Sequence, residues 1–347
     1  LSSSFPFYPD RFPAIRWSFD DGVGRRFKRV HEIEIATPLS QIGAQSRLLL
    51  VRALPAGEND GVSDQIFAAH RPRLLGVAYA IVGEIGESED VVQDTWLRWQ
   101  SADRSEVRSA EAFLVTTTTR LAVDRLRSAR VRRETYVGDW LPDPLLSEAD
   151  DPEAVVIEAE RLSLALLVAL ERLNPVERAV LVLRDVFDLE YGEIADAIDV
   201  SPANARQIAS RARDRVGDAS RRRPVDGAEQ RRLTTAFMVA AGEGDGERLR
   251  ELLAGDAIQY SDGGGAEKVA RKPIHGAEKI ARFYAGVRRA GSVPRDLVPR
   301  FVLVNGELGV RLLRPDGDQF AITALEIADG QIVAIRNFVN PDRFARR

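Results

Sequence analysis

Apolar residues recur every three to four positions along the middle of the chain and then alternate one by one towards its end. The pattern alone divides it into a helical part and a later mixed part. A first helix is predicted over 63–81 from Ile66, Phe67, Leu74, Leu75, Val77, Ala78 and Ile81, with Ser63 and Asp64 as its cap. After a turn at 83–86, Ser88 is positioned to cap a second helix. Val91, Val92, Thr95, Trp96 and Trp99 make its apolar side, and Glu89, Asp90, Gln93, Asp94 and Arg98 its polar one. A long helix follows over 110–130, in which Phe113, Leu114, Thr117, Leu121, Val123 and Leu126 alternate with Arg120, Asp124, Arg125 and Arg127. A further helix is expected over 154–173.

The strongest local pattern runs from Glu190 to Val216. Ile194, Ala195 and Ile198 place one face of a short helix in a core, Asp199-Val200-Ser201 interrupts it, and Ser201 with Pro202 starts another. In that second helix Ala205, Ile208, Ala209, Ala212 and Val216 face inward. Ser201, Asn204, Arg206, Gln207, Ser210 and Arg211 are left outside. This is a helix-turn-helix whose outer face carries amides, hydroxyls and arginines, groups that bond base edges and phosphates in a major groove. A helical hairpin with a solvated face has the same pattern, so the motif alone does not decide.

Beyond the basic stretch at 221–223, Pro224 and Gly227 mark a domain boundary. Helices over 228–241, 246–253 and 276–289 are then followed by strands over 300–304, 308–313, 319–328 and 331–337. One earlier strand is expected at 257–260, with Asn305-Gly306 and Asp329-Gly330 as turns. Helices before a meander of long strands predict an α+β domain in which a curved sheet wraps a helix. Residues 1–62 carry scattered aromatics, prolines and glycines without a sustained period, and are expected to be a poorly structured extension.

Composition narrows the chemistry. There is no cysteine and only three histidines, spread along the chain, which argues against disulfides and zinc; no metal site and no cofactor are expected. No apolar run is long enough to span a membrane, which fits a cytoplasmic chain. The net charge of −4 argues against indiscriminate coating of nucleic acid. The arginines nevertheless gather in two stripes, Arg125, Arg127, Arg130, Arg132 and Arg133, then Arg206, Arg211, Arg213, Arg215 and 221–223, suited to two contacts on one duplex.

With both patterns in view, the run from Glu89 to Trp99 and Leu121-Ala-Val-Asp-Arg-Leu-Arg127 resemble region 2 of a bacterial extracytoplasmic-function sigma factor. The helix-turn-helix after Asn174-Pro-Val-Glu resembles region 4. The fold class implied is multidomain: an all-α region 2 bundle over 63–135, a linker over 136–153, and an all-α region 4 over 154–224. An α+β cone-shaped domain of the SnoaL-like kind follows over 228–344. The resemblance implies that Glu89, Asp90, Gln93, Asp94 and Trp96 dock on core RNA polymerase. Thr116, Thr119, Arg120, Asp124, Arg125, Arg127 and Arg130 would open and read the −10 element, and the outer face of the helix from Pro202 would read the −35 element. The implied partners are promoter DNA and core polymerase, at its beta-prime clamp and beta flap.

Three further runs resemble the sigma factors that carry a fused C-terminal domain: Trp140-Leu-Pro-Asp-Pro-Leu145, Asp262-Gly-Gly-Gly-Ala266 and Asn340-Pro-Asp-Arg-Phe344. Trp140, Leu141, Pro142 and Pro144 are too apolar and too proline-rich for a bare tether or a continuous helix, so something is expected to cover them. With Asp262, Gly263, Gly264, Gly265, Asn340, Pro341 and Asp342 they are expected to form one intramolecular regulatory interface, with no separate anti-sigma protein required. In the C-terminal domain Asp262, His275 and Glu326 are the candidates for acid–base work. None has a partner in the sequence that makes it a catalytic constellation, and the chain is expected not to be an enzyme; the alternative is a small-ligand sensor or a cyclase- or isomerase-like enzyme in the C-terminal domain, fused to a DNA-binding regulator.

Overall fold

The computed structural model describes residues 60–103, 105, 107–148, 162–217, 226–264 and 269–340. The expectations for 1–59, 154–161, 221–223, Gly265, Pro341 and Asp342 therefore lie outside the described residues. Helices α1 (Asp60–Val82), α2 (Ile85–Ser101) and α3 (Ala110–Glu134) pack on one another. Helices α4 (Leu164–Leu170), α5 (Pro175–Asp185), α6 (Tyr191–Ile198) and α7 (Pro202–Val216) form a second group. Both groups contribute to one continuous apolar core, from Leu74, Ile81 and Leu126 on the first to Val180, Ile194 and Ala209 on the second. The link between them is direct: α3 packs against α5 and α6.

Local chemistry explains most of the ends. Ser109 caps α3 by accepting from the Ala112 amide at 3.2 Å. Asn174 and Glu177 form a reciprocal capping box on α5, with Pro175 in the first turn where its missing N–H costs nothing. Asp199 stops α6 in the left-handed conformation, and Ser201 caps α7 through the Asn204 amide at 3.2 Å, as the sequence predicts.

Three expectations fail here. Helix α1 begins at Asp60, so Ser63 and Asp64 lie within it instead of capping it; the Ser63 carbonyl accepts from the Trp99 indole, and Asp64 accepts from Gln100. The chain breaks for only two residues after α1, and α2 starts at Ile85. Ser88 is therefore a buried residue inside α2 that bonds back to the Glu84 carbonyl at 2.6 Å. The helix expected over 154–173 does not hold across its described part, because Leu162 and Ser163 lie outside any helix and Ser163 caps a short α4 that ends at Leu170.

The C-terminal part is α+β, with the architecture expected of a SnoaL-like cone. Helices α8 (Gly227–Glu243), α9 (Gly246–Leu252) and α10 (Ala277–Arg289) pack against strands β2 (Leu253–Asp262), β3 (Ile274–His275), β4 (Val298–Val304), β5 (Glu307–Leu313), β6 (Gln319–Ala328) and β7 (Gln331–Phe338). Another strand, β1 (Leu146–Glu148), comes from the linker. The sheet order is β1-β4-β5-β6-β7-β2-β3, all antiparallel except β2 with β7. Leu146, Ser147 and Glu148 pair with Val304, Leu303 and Val302, so the linker completes an edge that β4 would otherwise expose.

Candidate functional site

The three sequence runs outside the helical groups meet at one place. The Asp262 carboxylate, fully buried at the end of β2, accepts from the Tyr136 hydroxyl through one oxygen and from the Leu141 amide at 3.4 Å through the other. Asn340 donates to the same Tyr136 hydroxyl at 3.0 Å, while the Asp262 carbonyl accepts from the Val339 and Asn340 amides at 2.8 and 3.1 Å. Asp139 adds a bond from the Ser261 amide at 3.2 Å. Burial, and then the neighbouring Asp262 charge, push the Asp139 carboxyl above its ordinary pKa, although the Ser261 amide and His275 oppose the shift.

Glycine is required where this clamp is tight. Gly264 sits at φ +56, and a Cβ there would collide with the Asn340 amide group. On the opposite side Gly83, at φ +82, lets the Trp140 ring and the Arg178 guanidinium approach; a Cβ would lie 3.2 and 3.3 Å from them.

The linker is held from Asp139 onward through its described residues. Trp140 lies under the Arg133 guanidinium, 3.3 Å from its carbon to the ring centroid. Asp143 caps α2 through the Ile85 amide at 2.8 Å, and its carbonyl accepts from the Tyr79 hydroxyl at 2.6 Å. Pro142 and Pro144 are buried. Leu141 joins Leu164, Val302, Val304, Ile322 and Phe338 in a separate apolar cluster that spans the linker, the second helical group and the sheet.

Asn305, at the β4–β5 turn, ties the same three parts together. Its side chain accepts from the Leu145 amide at 3.1 Å and donates to the Tyr79 hydroxyl and the Leu162 carbonyl, each at 3.0 Å. Behind Trp140, Glu171 pairs with Arg133 at 2.9 Å and with the fully buried Arg178, whose Nε donates to the Ala80 carbonyl at 2.9 Å. Arg133 also reaches Glu84 at 3.0 Å, and burial lowers its pKa against the pull of both carboxylates.

The two nucleic-acid faces expected from the sequence fare differently. On α7, Ser201, Asn204, Arg206, Gln207, Ser210 and Arg211 are all exposed and share one side, with the core residues opposite. On α3 the corresponding set is dispersed. Thr119 is fully buried, against expectation, because it lies on the side that packs into the helical core. Arg120 donates to the Asp196 and Ala197 carbonyls of α6 at 2.7 and 3.0 Å, and Arg130 to the Glu171 and Leu173 carbonyls. Arg125 pairs with Glu87 at 3.1 Å and approaches Asp90 at 3.8 Å. Asp124 and Arg127 are exposed and pair with each other at 2.9 Å, and Thr116 is half-buried. The arginines of α3 are therefore mostly engaged within the chain, by acids or by backbone carbonyls. On α2, Glu89 and Asp94 are exposed, Asp90 and Gln93 are half-buried, and Trp96 packs partly against the core.

The acid–base candidates do not meet. Asp262 is occupied by the clamp, His275 is exposed on β3, and Glu326 is buried with Arg336 at 2.6 Å. Burial draws Arg336 down to about 10. Among the described residues no group of carboxylates and histidines could hold a metal ion, and no helix is long and apolar enough to cross a membrane.

Comparison with known proteins gives this arrangement its context. Residues 66–132 match the family Sigma-70 region 2, and residues 163–216 match Sigma-70, region 4. The ECF RNA polymerase sigma factor SigJ of Mycobacterium tuberculosis is 36% identical over 289 residues, covering 80% of this chain and 92% of that one. The chain belongs to the ECF RNA polymerase sigma factor family. The crystal structure of the Mycobacterium tuberculosis sigma factor SigJ superimposes with a TM-score of 0.65 at 36% identity, covering 82% of this chain and 98% of the other. The similarity therefore runs through the C-terminal domain. A probable ECF sigma factor from the same species, SigI, is 36% identical over 199 residues, 56% of this chain and 68% of its own length.

In this sigma factor, the sequence marks only some of the residues that join the parts. The matching runs pointed to Trp140, Asp262 and Asn340. Tyr136, Asp143, Arg178 and Asn305 were missed; Asn305 carried a signal, but one that reads as a hairpin turn. Its φ of 51° does serve that turn, and the side chain does the rest.

Proposed function

We propose that this sigma factor directs core RNA polymerase to promoters, and that the arrangement described here is its closed form. The observation that carries the reading is the pair of bonds from Arg120 to the Asp196 and Ala197 carbonyls. They fix the helix assigned to the −10 element directly onto the helix-turn-helix assigned to the −35 element. Elements about 25 base pairs apart lie roughly 85 Å apart at 3.4 Å per pair, so both cannot be read while these helices touch. Reading both requires regions 2 and 4 to separate.

In the open form Thr116, Arg120, Asp124, Arg125, Arg127 and Arg130 become the −10 surface. Arg120 and Arg130 are freed from the backbone carbonyls of the second helical group, while Arg125 keeps Glu87 and Asp90, which lie on α2 of the same region; Thr119 positions α3 from inside the core. Ser201, Asn204, Arg206, Gln207, Ser210 and Arg211 already face outward for the −35 duplex. Glu89, Asp90, Gln93, Asp94 and Trp96 form the polymerase-docking side, with acids for steering and a half-buried ring as anchor.

The C-terminal domain acts in cis. Tethering gives even weak contacts an effective concentration in the millimolar range, so Asp262, Asn305 and Asn340 can hold the linker without a separate anti-sigma protein. No reaction is assigned to that domain, whose ionisable candidates are apart. The test is run-off transcription with core polymerase, comparing the full chain with one truncated after Arg223. Both should initiate at the same promoter with output differing severalfold. Equal output would remove the regulatory role, and no initiation by either would remove the sigma assignment.

A further inference from the structure

The C-terminal domain encloses a cavity of about 630 Å³ between α8, α10 and the concave side of the sheet. That size falls within the range of small-molecule sites, roughly 300–1,000 Å³. Its walls are mainly apolar, Met238, Phe283, Leu297, Phe320 and Val339 among them. Inside stands a neutral polar group: Asn337 donates to the Tyr284 hydroxyl at 3.2 Å and accepts from Thr323 at 2.9 Å. Burial pushes Tyr284 up to about 12, so the phenol stays protonated and able to donate.

The charge is one-sided. Arg288, Arg295 and Arg314 line the cavity, and no aspartate or glutamate does so among the described residues. Arg295 and Arg314 are exposed, which puts the positive charge at the mouth. An apolar body with a single anionic end matches such a site. With no carboxylate or histidine among the described lining residues, the cavity is equipped to hold a molecule and has no acid–base pair to transform it.

The walls are also part of the clamp. Ser261 lines the cavity, and its amide holds Asp139 of the linker. Val339 lines it too, and its amide bonds the carbonyl of Asp262, whose carboxylate holds Tyr136 and Leu141. A molecule that displaces either strand end acts on the linker within one residue.

We infer that this cavity is a receptor site for a small apolar carboxylic acid, and that its occupancy opens the linker clamp. The coupling rests on the closed-form reading above. The binding does not.

The chain has no cysteine, so Arg98→Cys and Asp214→Cys, on the exposed sides of α2 and α7, allow two fluorophores to report the separation of regions 2 and 4 in the full-length protein. Dodecanoate is the probe, and dodecan-1-ol its uncharged control, both followed by calorimetric titration. Dodecanoate should bind saturably and about tenfold more tightly than the alcohol, and should lengthen the distance. Arg295→Ala with Arg314→Ala, both exposed, should erase the preference for the acid. Ala321→Trp, with its folding verified by thermal denaturation, should abolish both bindings.

Absence of saturable binding, or binding that neither the arginine pair nor Ala321→Trp weakens, would overturn the site. Binding at an unchanged distance would overturn the coupling. Repeating the distance measurement in a complex with core polymerase and promoter that is forming transcripts separates the two questions: if the distance stays short there, the closed-form reading falls while the titration still judges the cavity.

Discussion

Replacing Asn305 by glycine isolates the junction that closes the molecule. The residue is 2% exposed, and its side chain serves the Leu145 amide, the Leu162 carbonyl and the Tyr79 hydroxyl. Glycine accepts the φ of 51°, so Asn305→Gly removes the side chain without straining the turn. Tyr79 keeps its bond to the Asp143 carbonyl, whereas the Leu145 amide and the Leu162 carbonyl lose a partner. A buried group left unsatisfied costs ~1–3 kcal/mol; two of them, partly relieved by entering water, give about 2–3 kcal/mol. That shifts the open-to-closed ratio by roughly 30- to 150-fold. All three bonds run between parts of the chain, so the penalty falls on closure and not on the sheet itself. Hydrogen exchange reads it directly: protection of the Leu145 amide should fall by a similar factor, while Ile208 and Ala209 inside α7 keep theirs. Protection at Leu145 within about threefold of wild type would refute the assigned role.

Asp139→Asn should strengthen the clamp at neutral pH, because it keeps an oxygen for the Ser261 amide and removes a carboxylate that burial and Asp262 disfavour. The sign follows from the raised pKa: the Asp139 contribution to closure is complete below its ordinary 3.8 and is lost as pH rises through the raised closed-form value. The variant should flatten that part of the pH dependence, and an unaltered pH profile of Leu145 protection would count against it. Gly264→Ala should cost about 1–3 kcal/mol through left-handed strain and the clash with Asn340, lowering the thermal midpoint; an unchanged midpoint would mean that the loop yields freely. On α7, Gln207→Ala should weaken promoter binding by ~1–3 kcal/mol at one base position only. Arg211→Ala should weaken all sequences alike and reduce the salt slope by about one; titrations on variant duplexes at several salt concentrations distinguish them.

Much of this was legible in the sequence because it is local. The α6–α7 turn, the Ser201 cap and the exposed side of α7 follow from spacing and capping within a dozen or so residues, and the structure keeps them all. The later strands were legible for the same reason, since Asn305-Gly306 and Asp329-Gly330 fix their register at close range. What eluded sequence reading depends on contacts between distant segments. Nothing local distinguishes Arg120, bonded to the distant α6, from Arg127, whose partner is Asp124 on its own helix. Strand β1 has only three residues and exists because β4 offers an edge. Ser88 has the composition of a cap, but the chain turned earlier because Asp143, far along the sequence, supplies the cap to Ile85. Trp140 and its prolines announced a buried linker, yet not the Arg133, Glu171 and Arg178 cluster against which it lies.

The most direct measurement is the distance between fluorophores on α2 and α7, at Arg98→Cys and Asp214→Cys, in the free protein and in the complex with core polymerase and promoter. The closed form predicts one short distance in the free protein and a much longer one in the complex, consistent with reading elements roughly 85 Å apart. A short distance that persists in a transcriptionally active complex would contradict the account.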